Sequence, residues 1–350
     1  MRKKYSIGVN GGHLRSTAVA ICHETKTVAP LVYGSAINPH SIDESELFSR
    51  AEDLAIDLRE HIAAVDRSVS IAVERVVVAL PGVGLAREQS EVLPVLKRAF
   101  GSENVNVVDD TWAALFAVTQ KPLGVCAFAG CGASVCIALG EFIPKKEFKI
   151  DGWGPVIGDF GSGFQLVTRF FRNLGRELDS DESNLFFEKV RQVSKGMNLY
   201  PELPSLELAQ RWFDRFMEYH ATDWRAQFAR LAEPIIKLAD SEDSGPLTVD
   251  ARKLVESVAI ELVMSLEICL QRHKHIDSTQ LPLVLQGGVL RNSKYYQSLV
   301  QSRLGEKFRE VTVAKQRPVV GALMMASQGF FDPGELAAIE APIAQISGRK

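Results

Sequence analysis

Short apolar runs, glycine turns and helical stripes alternate along the first third of the chain. Apolar runs at 5–10, 17–22, 30–35, 75–80 and 105–108 predict five strands. Apolar residues at helical spacing predict helices over 45–65, 92–100 and 111–118. The resulting order, βββαβαβα, is typical of a mixed sheet covered by helices, so it predicts an α/β domain.

The pattern restarts at Gly124, which suggests a duplicated architecture. Two strand-like runs, 124–129 and 134–139, flank a glycine turn, and 164–275 is mostly helical. A strand at 281–285, a helix from about 292, a strand at 311–313 and a helix over 319–328 follow. We therefore expect an N-terminal domain over 1–118, a C-terminal domain with a helical insertion over 119–318, and a terminal segment over 319–350.

Composition narrows the class of protein without naming a function. The chain has 350 residues, 46% of them hydrophobic and 24% charged, with a net charge of -3, as in an ordinary globular protein. We expect no nucleic-acid partner and no membrane association, because no basic run and no apolar run of spanning length is present. The five cysteines form no CxxC pair, which predicts reduced thiols in a cytoplasmic protein and disfavours a zinc or iron–sulfur site.

The segment DGWGPVIGDFGSG at 151–163 is the densest in glycine. Five glycines surround Trp153 and Asp159, and glycine at this density indicates unusual backbone or close approach to a ligand. A carboxylate beside an indole suits a polyhydroxylated molecule, since the acid accepts from hydroxyl groups and the ring covers an apolar sugar face. The alternative is a glycine-rich turn that only caps the helix starting near Phe164.

Three glycine turns follow apolar strands. They are Gly11-Gly12, Gly130-Cys131-Gly132 and Gly287-Gly288. Exposed backbone N–H groups at such turns can wrap a phosphate, so three of them favour a nucleotide cleft, although each alone also fits a plain hairpin. None of the three is a Walker A loop or a GxGxxG dinucleotide motif.

Together these motifs resemble the branch of the sugar kinase/heat-shock protein/actin superfamily that joins N-acetylglucosamine kinases with BadF/BcrA-type ATPases. The matching runs, in the family's order, are GVNGGHLRS at 8–16, GSAINP at 34–39, VDD at 108–110 with AAL at 113–115, AGCGA at 129–133, GWG at 152–154 with GDFGSG at 158–163, LQGGV at 285–289 and PVVGA at 318–322. The resemblance implies two actin/hexokinase-like (ribonuclease H-like) α/β domains with an interdomain cleft. The second would be enlarged by helices, and the final helix would pack back on the first.

The resemblance also implies ATP-dependent phosphorylation of an amino sugar such as N-acetylglucosamine by a homodimer. The ATP phosphates would lie against Gly11, Gly12, Gly130 and Gly132, with adenosine near Gly287 and Gly288 and with Arg15 and Ser16 by the β- and γ-phosphates. The sugar contacts would be Asn38, Cys131, Gly132, Trp153 and Asp159. Mg²⁺ would be held weakly, through water, by Asn10.

Asp110 is the candidate general base, because it ends a strand and precedes a helix. Asp109 is expected to point the other way, since successive strand residues alternate faces. The alternative role for Asp110 is to cap the helix that begins at Thr111.

Several positions depart from the family pattern. They are Asn10 in place of an acid, His13, Leu14, Cys131 and Ala133 in the phosphate loops, and Phe160 in place of an acid. These changes weaken the ATP end more than the sugar end. An alternative is therefore a sugar-binding or regulatory relative with little or no activity. A third reading, an ATPase that activates a partner dehydratase, ranks last because it needs cluster-binding cysteines.

Overall fold

The structure is a computed structural model, and it describes residues 2–12, 15–66, 70–84, 86–140, 149–179, 190 and 224–331. Proximity of Cα atoms divides the chain into two units. The first unit comprises Met1–Cys126, Cys136–Lys149 and Ala314–Lys350, and the second comprises Ala127–Val135 and Ile150–Val313. The predicted boundaries at 118 and 318 stay predictions.

The first sheet has five strands in the order β3-β2-β1-β4-β5. They are β1 (Lys3–Asn10), β2 (Arg15–Cys22), β3 (Val32–Ser35), β4 (Ile71–Leu80) and β5 (Val105–Asp109). The first three strands are antiparallel neighbours, whereas β1, β4 and β5 run parallel. Parallel strands need crossovers, and helices supply them here, as α/β architecture requires.

Helices of the first unit bury apolar stripes against this sheet. They are α1 (Glu44–Val65), α2 (Ala86–Phe100) and α3 (Asp110–Thr119). On α1, Leu47, Ala51, Leu54, Leu58 and Ile62 recur at helical spacing and are buried in the core. The predicted α/β class is therefore confirmed for this part of the chain.

The last described helix, α10 (Pro318–Ser327), returns to the first unit and packs on α3 and on β1. Two glycines allow this contact. A Cβ on Gly321 would overlap the Ala113 carbonyl oxygen, and a Cβ on Gly8 would overlap the backbone of Leu323. Close backbone approach of this kind excludes any larger side chain at either position. Residues 332–350 of the predicted terminal segment lie outside the described residues.

The second sheet also has five strands, in the order β10-β9-β6-β7-β8. They are β6 (Leu123–Ala129), β7 (Ala133–Leu139), β8 (Lys149–Asp151), β9 (Pro282–Gln286) and β10 (Glu310–Val313). The helices described beside it are α4 (Gly163–Asp179), α5 (Trp224–Arg230), α6 (Ala232–Ala239), α7 (Pro246–Arg272), α8 (Gly288–Asn292) and α9 (Lys294–Leu304). The predicted enlargement by helices is consistent with this set.

Some element boundaries differ from the sequence-based predictions for identifiable reasons. The helix predicted from Val92 begins at Ala86. The prediction missed its first turn because that turn is polar and shows no apolar spacing. Within the stretch predicted to be mostly helical, α7 begins at Pro246, where proline suits the first helical position. Strand β8 escaped prediction because three residues carry too little pattern. None of the described helices is long and apolar enough to cross a membrane.

All five cysteines are free thiols. Four of them are buried as expected, while Cys131, in the glycine turn, is partly exposed.

Candidate active site

Three parallel strands of the first sheet end side by side. Asn10 at the end of β1 lies opposite Ala79 on β4, and Leu80 lies opposite Asp109 at the end of β5. The Gly11 N–H donates to the Ala79 carbonyl at 2.8 Å, which fixes the chain just beyond β1. In open α/β sheets, ligands bind outside the carboxyl ends of the strands. The edge that carries Asn10, Gly11 and Asp110 is therefore the candidate active-site edge of the first unit.

Asp109 and Lys149 form a buried ion pair at this edge. Lys149 Nζ lies 2.6 Å from Asp109 Oδ2, and the two side chains are 18% and 4% exposed. The other oxygen, Asp109 Oδ1, caps α3 by accepting from the Thr111 N–H at 3.0 Å and from the Thr111 hydroxyl. Burial alone would raise the pKa of Asp109, but the Lys149 ammonium outweighs it and holds that pKa below its usual range.

Asp110 is the first residue of α3 and is 8% exposed. Burial and the negative charge of Asp109 raise the pKa of Asp110 to about 7. Strand alternation does not apply to this pair, because Asp110 already belongs to the helix. The expectation that Asp109 and Asp110 point in opposite directions therefore stays a prediction.

The alternative role for Asp110 as the helix cap is wrong, since Asp109 fills it. A carboxylate that titrates near neutral pH is well matched to general-base chemistry.

The backbone of the first glycine turn favours glycine at both Gly11 and Gly12. A Cβ on Gly11 would overlap the Ile37 carbonyl oxygen, and Gly12 has a φ of 58°. Beside the turn, Asn10 Oδ1 and Ser16 Oγ are buried, and neither has a hydrogen-bond partner among the described residues. Unpaired buried polar atoms are costly and rare, which makes these two atoms candidates for a ligand contact.

Other predicted residues of this loop contribute less. Arg15 is exposed, and its guanidinium lies 4.9 Å from the centre of the Tyr33 ring. His13 and Leu14, predicted to crowd the loop, lie outside the described residues.

Asn38 is buried next to the first glycine turn, because the Ile37 N–H donates to the Gly11 carbonyl at 3.0 Å. Its side chain is used locally. The Asn38 oxygen accepts from the His40 N–H at 3.1 Å, and its amide donates to the Ser41 hydroxyl at 3.0 Å. The amide thus holds its own turn, and its contact with a sugar stays a prediction.

In the second unit, the second glycine turn adjoins Asp159. The Gly130 N–H donates to the Gly132 carbonyl at 2.9 Å, which closes the turn. A Cβ on Gly132 would lie 3.0 Å from the Asp159 carboxylate, and the Ala133 N–H donates to that carboxylate at 3.3 Å. Burial and the Asp159 charge raise the pKa of Cys131 to about 12, so this thiol stays neutral.

The third glycine turn meets the second one. Gly287 has a φ of 100°, and a Cβ there would overlap the Ala129 carbonyl. A Cβ on Gly130 would lie 3.5 Å from the Gly288 nitrogen. The structure therefore brings Gly130, Gly287 and Gly288 together with Asp159 in one region of the second unit. Their roles as sugar and nucleotide contacts stay predictions.

The glycine–tryptophan segment is organised by an acid that sequence reasoning did not single out. Asp151 accepts from the Asp159 N–H at 2.9 Å and from the Phe160 N–H at 2.7 Å. Asp151 and Asp159 both have positive φ, at 64° and 56°, a conformation that aspartate tolerates better than most residues. Trp153 is 63% exposed, so its indole face is open.

Lys149 is the second residue that sequence reasoning missed. It follows a lysine-rich stretch with no periodic pattern, and its partner Asp109 lies 40 positions earlier. Within the described ranges, no three His, Cys, Asp or Glu side chains are grouped so as to hold a metal ion.

Comparison with known proteins places the chain in a family. The family model of the BadF/BadG/BcrA/BcrD ATPases matches residues 7–326. The chain belongs to the BadF/BadG/BcrA/BcrD ATPase family. The resemblance predicted from the glycine turns and the glycine–tryptophan segment is thereby confirmed.

Relatives of this BadF-type chain extend over most of its length. An N-acetyl-D-glucosamine kinase from Dictyostelium discoideum is 24% identical over 348 residues, which cover 93% of this chain and 98% of that protein. A candidate N-acetylglucosamine kinase from Chromobacterium violaceum superposes with a TM-score of 0.66 at 18% identity, covering 92% of this chain and 98% of that structure. Another from Porphyromonas gingivalis superposes with a TM-score of 0.65 at 17% identity, covering 93% and 98%. These likenesses confirm the predicted two-domain α/β fold.

Proposed function

We propose that the protein is an ATP-dependent kinase that phosphorylates a hydroxyl group of an amino sugar, N-acetylglucosamine or a close relative. The observation that carries the proposal is Asp110, a buried carboxyl at the carboxyl edge of three parallel strands, with its pKa raised to about 7. The named activity of the Dictyostelium relative supports the choice of substrate class.

In this proposal Asp110 takes the proton of the attacking sugar hydroxyl. The oxygen forms a bond to the γ-phosphorus of ATP, the bond from that phosphorus to the bridging oxygen breaks, and ADP leaves. Asp110 must be ionised to accept the proton, so the rate should rise as the pH passes through about 7.

The sugar contacts remain those expected from the sequence: Asn38, Cys131, Gly132, Trp153 and Asp159. Asp159 is supported by its place against the Gly132 turn, where its carboxylate can accept from sugar hydroxyls. Trp153 is supported by its open ring face, which suits the apolar side of a pyranose.

The nucleotide contacts are proposed at the three glycine turns, with Arg15 and Ser16 by the phosphates. Mg²⁺, when bound with ATP, neutralises charge on the β- and γ-phosphates. The unpaired Asn10 Oδ1 fits a water-mediated contact to such an ion, although a neutral amide is a weaker partner than a carboxylate. A cytoplasmic location and a homodimer belong to the same proposal.

The neutral Asn10 favours one alternative, a sugar-binding or regulatory protein with little turnover. Calorimetry separates the two functions. A sensor binds the sugar with the same affinity whether or not MgATP is present, and ATP is not consumed.

The test of the kinase is a panel of hexoses and N-acetylhexosamines with MgATP, followed by detection of sugar phosphate. We expect turnover with an N-acetylated amino sugar, a loss of at least about a hundredfold in Asp110→Asn, and wild-type rates in Asp53→Asn, an exposed acid on α1. Equal rates in Asp110→Asn and the wild type would remove Asp110 from the mechanism.

A further inference from the structure

Lys149 lies in a space that the fold keeps free for it. A Cβ on Gly84 would lie 2.8 Å from Lys149 Cδ and 3.6 Å from its Nζ. Because this is closer than real Cβ contacts allow, a side chain at position 84 would displace the lysine stem. The lysine therefore reaches Asp109 along a path that a glycine leaves open.

Asp109, Lys149 and Asp110 meet at the start of α3, and burying their charges does not cost the same free energy for each. A buried ammonium and a buried carboxylate at 2.6 Å compensate one another, which makes each tolerable away from water. The same ammonium also lowers the pKa of Asp110, but burial and the Asp109 charge outweigh it, so Asp110 holds its proton more tightly than a free carboxyl. Without the ammonium, two buried carboxyls would share one place, and like charges so close cannot both ionise readily.

Two thiols also face this group of charges. Cys126 on β6 and Cys136 on β7 are buried, and their mutual hydrogen bond and burial raise the pKa of Cys126 well above its usual range. The Cys126 thiol therefore stays neutral while Asp110 titrates. The electrostatic field at this place is therefore set by the charges of Asp109, Asp110 and Lys149.

We propose that Lys149 is a positioning residue of the transfer reaction: clamped on Asp109, it offsets that charge and frees Asp110 to act as the base. The inference rests on the proposed function. Lys149 acts on the reacting atoms through Asp110: it holds Asp109, the cap of the helix that carries Asp110, and its charge also lowers the pKa of Asp110.

The test compares the pH dependence of kcat/KM in the wild type, Lys149→Met and the double variant Asp109→Asn/Lys149→Met. In Lys149→Met the rise of kcat/KM should move to higher pH, so that its value near pH 7 falls by at least about tenfold. In the double variant both charges are gone together, and the rise should return toward its wild-type position.

Three further variants separate this role from general stability. Lys149→Arg keeps the cation and should restore most of the shift. Gly84→Ala changes no charge but crowds the Lys149 stem, so it should shift the profile in the same direction by less. Lys3→Met is the control, because Lys3 Nζ and Asp66 Oδ1 form an equally short 2.6 Å pair elsewhere in the first unit, and its profile should not move.

A second readout does not depend on turnover. The ¹³C carboxyl resonance of Asp110, assigned by its absence in Asp110→Asn, should titrate at higher pH in Lys149→Met than in the wild type. If the wild type lacks kinase activity but this shift appears, the proposed function fails and the electrostatic role of Lys149 stands.

The inference is overturned if Asp110 titrates identically in both proteins, or if the double variant is as impaired as Lys149→Met with no change in the pH profile of kcat/KM. Should Lys149→Met fail to fold, Gly84→Ala and the double variant decide by the same readouts.

Discussion

Two adjacent aspartates should respond to the same substitution with opposite changes in stability. Asp110→Asn removes a carboxyl whose pKa is raised from 3.8 to about 7 in the folded protein. At about 1.4 kcal/mol for each tenfold change in proton affinity, the ionised group disfavours the folded state by at most about 4 kcal/mol above pH 7. Asp110→Asn should therefore raise the free energy of unfolding of the first unit in mildly alkaline solution.

The change in the free energy of unfolding caused by Asp110→Asn should depend on pH in a definite direction. An acid with a raised folded pKa contributes stability that is complete below pH 3.8 and is lost as the pH rises through about 7. The gain in Asp110→Asn should therefore be small near pH 4 and largest above pH 8, reaching about 2 to 4 kcal/mol.

Asp109→Asn is the comparison variant for Asp110→Asn. The folded pKa of Asp109 is depressed, so its ionised form contributes stability above its usual pKa, and that contribution is lost as the pH falls. Its removal leaves Lys149 buried without its partner, which should cost about 3 kcal/mol or more.

Urea unfolding followed by circular dichroism, at about pH 5 and about pH 8.5, measures these differences. The two units need not unfold together, so the transition of the first unit is identified as the one that moves in Gly321→Ala. A less stable Asp110→Asn at the higher pH, or a difference that does not change with pH, would show that ionised Asp110 does not destabilise the folded first unit.

Four other variants test helix packing, a partly buried histidine and the first loop. Gly321→Ala should destabilise the first unit by several kcal/mol, because its Cβ would overlap the Ala113 carbonyl. Gly175→Ala, in an open position on α4, should stabilise the second unit by up to about 1 kcal/mol in the same urea experiment. His23, whose pKa burial lowers below 6.5, should make the wild type lose stability as the pH falls below that value, and His23→Gln should flatten this dependence in thermal melts. Asn10→Asp should lower the KM for MgATP, since a carboxylate supports the ion better than an amide, and an unchanged KM would contradict that role.

The strand ends that carry the site could be predicted from the sequence because each follows a buried apolar run. Asn10 and Asp110 were placed this way, and the structure puts both at one edge of the first sheet. The exact start of α3 was one residue off, and that residue decides which aspartate caps the helix. Local pattern fixes an element to within a turn, whereas capping depends on single hydrogen bonds.

Other parts of the site depend on contacts that no local pattern encodes. The Asp109–Lys149 pair joins positions 40 residues apart, and the space at Gly84 becomes visible only once the lysine is in place. Asp151 looks in the sequence like one more turn residue, yet it holds two N–H groups of the Asp159 loop. Long-range polar pairing of this kind follows from the fold and cannot be read before it.

The most direct test of the central claim is a ³¹P NMR time course of the wild type with MgATP and N-acetylglucosamine, beside the same experiment with Asp110→Asn. We expect a new phosphomonoester resonance that grows together with ADP, in equal amounts, in the wild type and is absent in the variant. Release of inorganic phosphate without a phosphomonoester, or the same phosphomonoester at the same rate in Asp110→Asn, contradicts it.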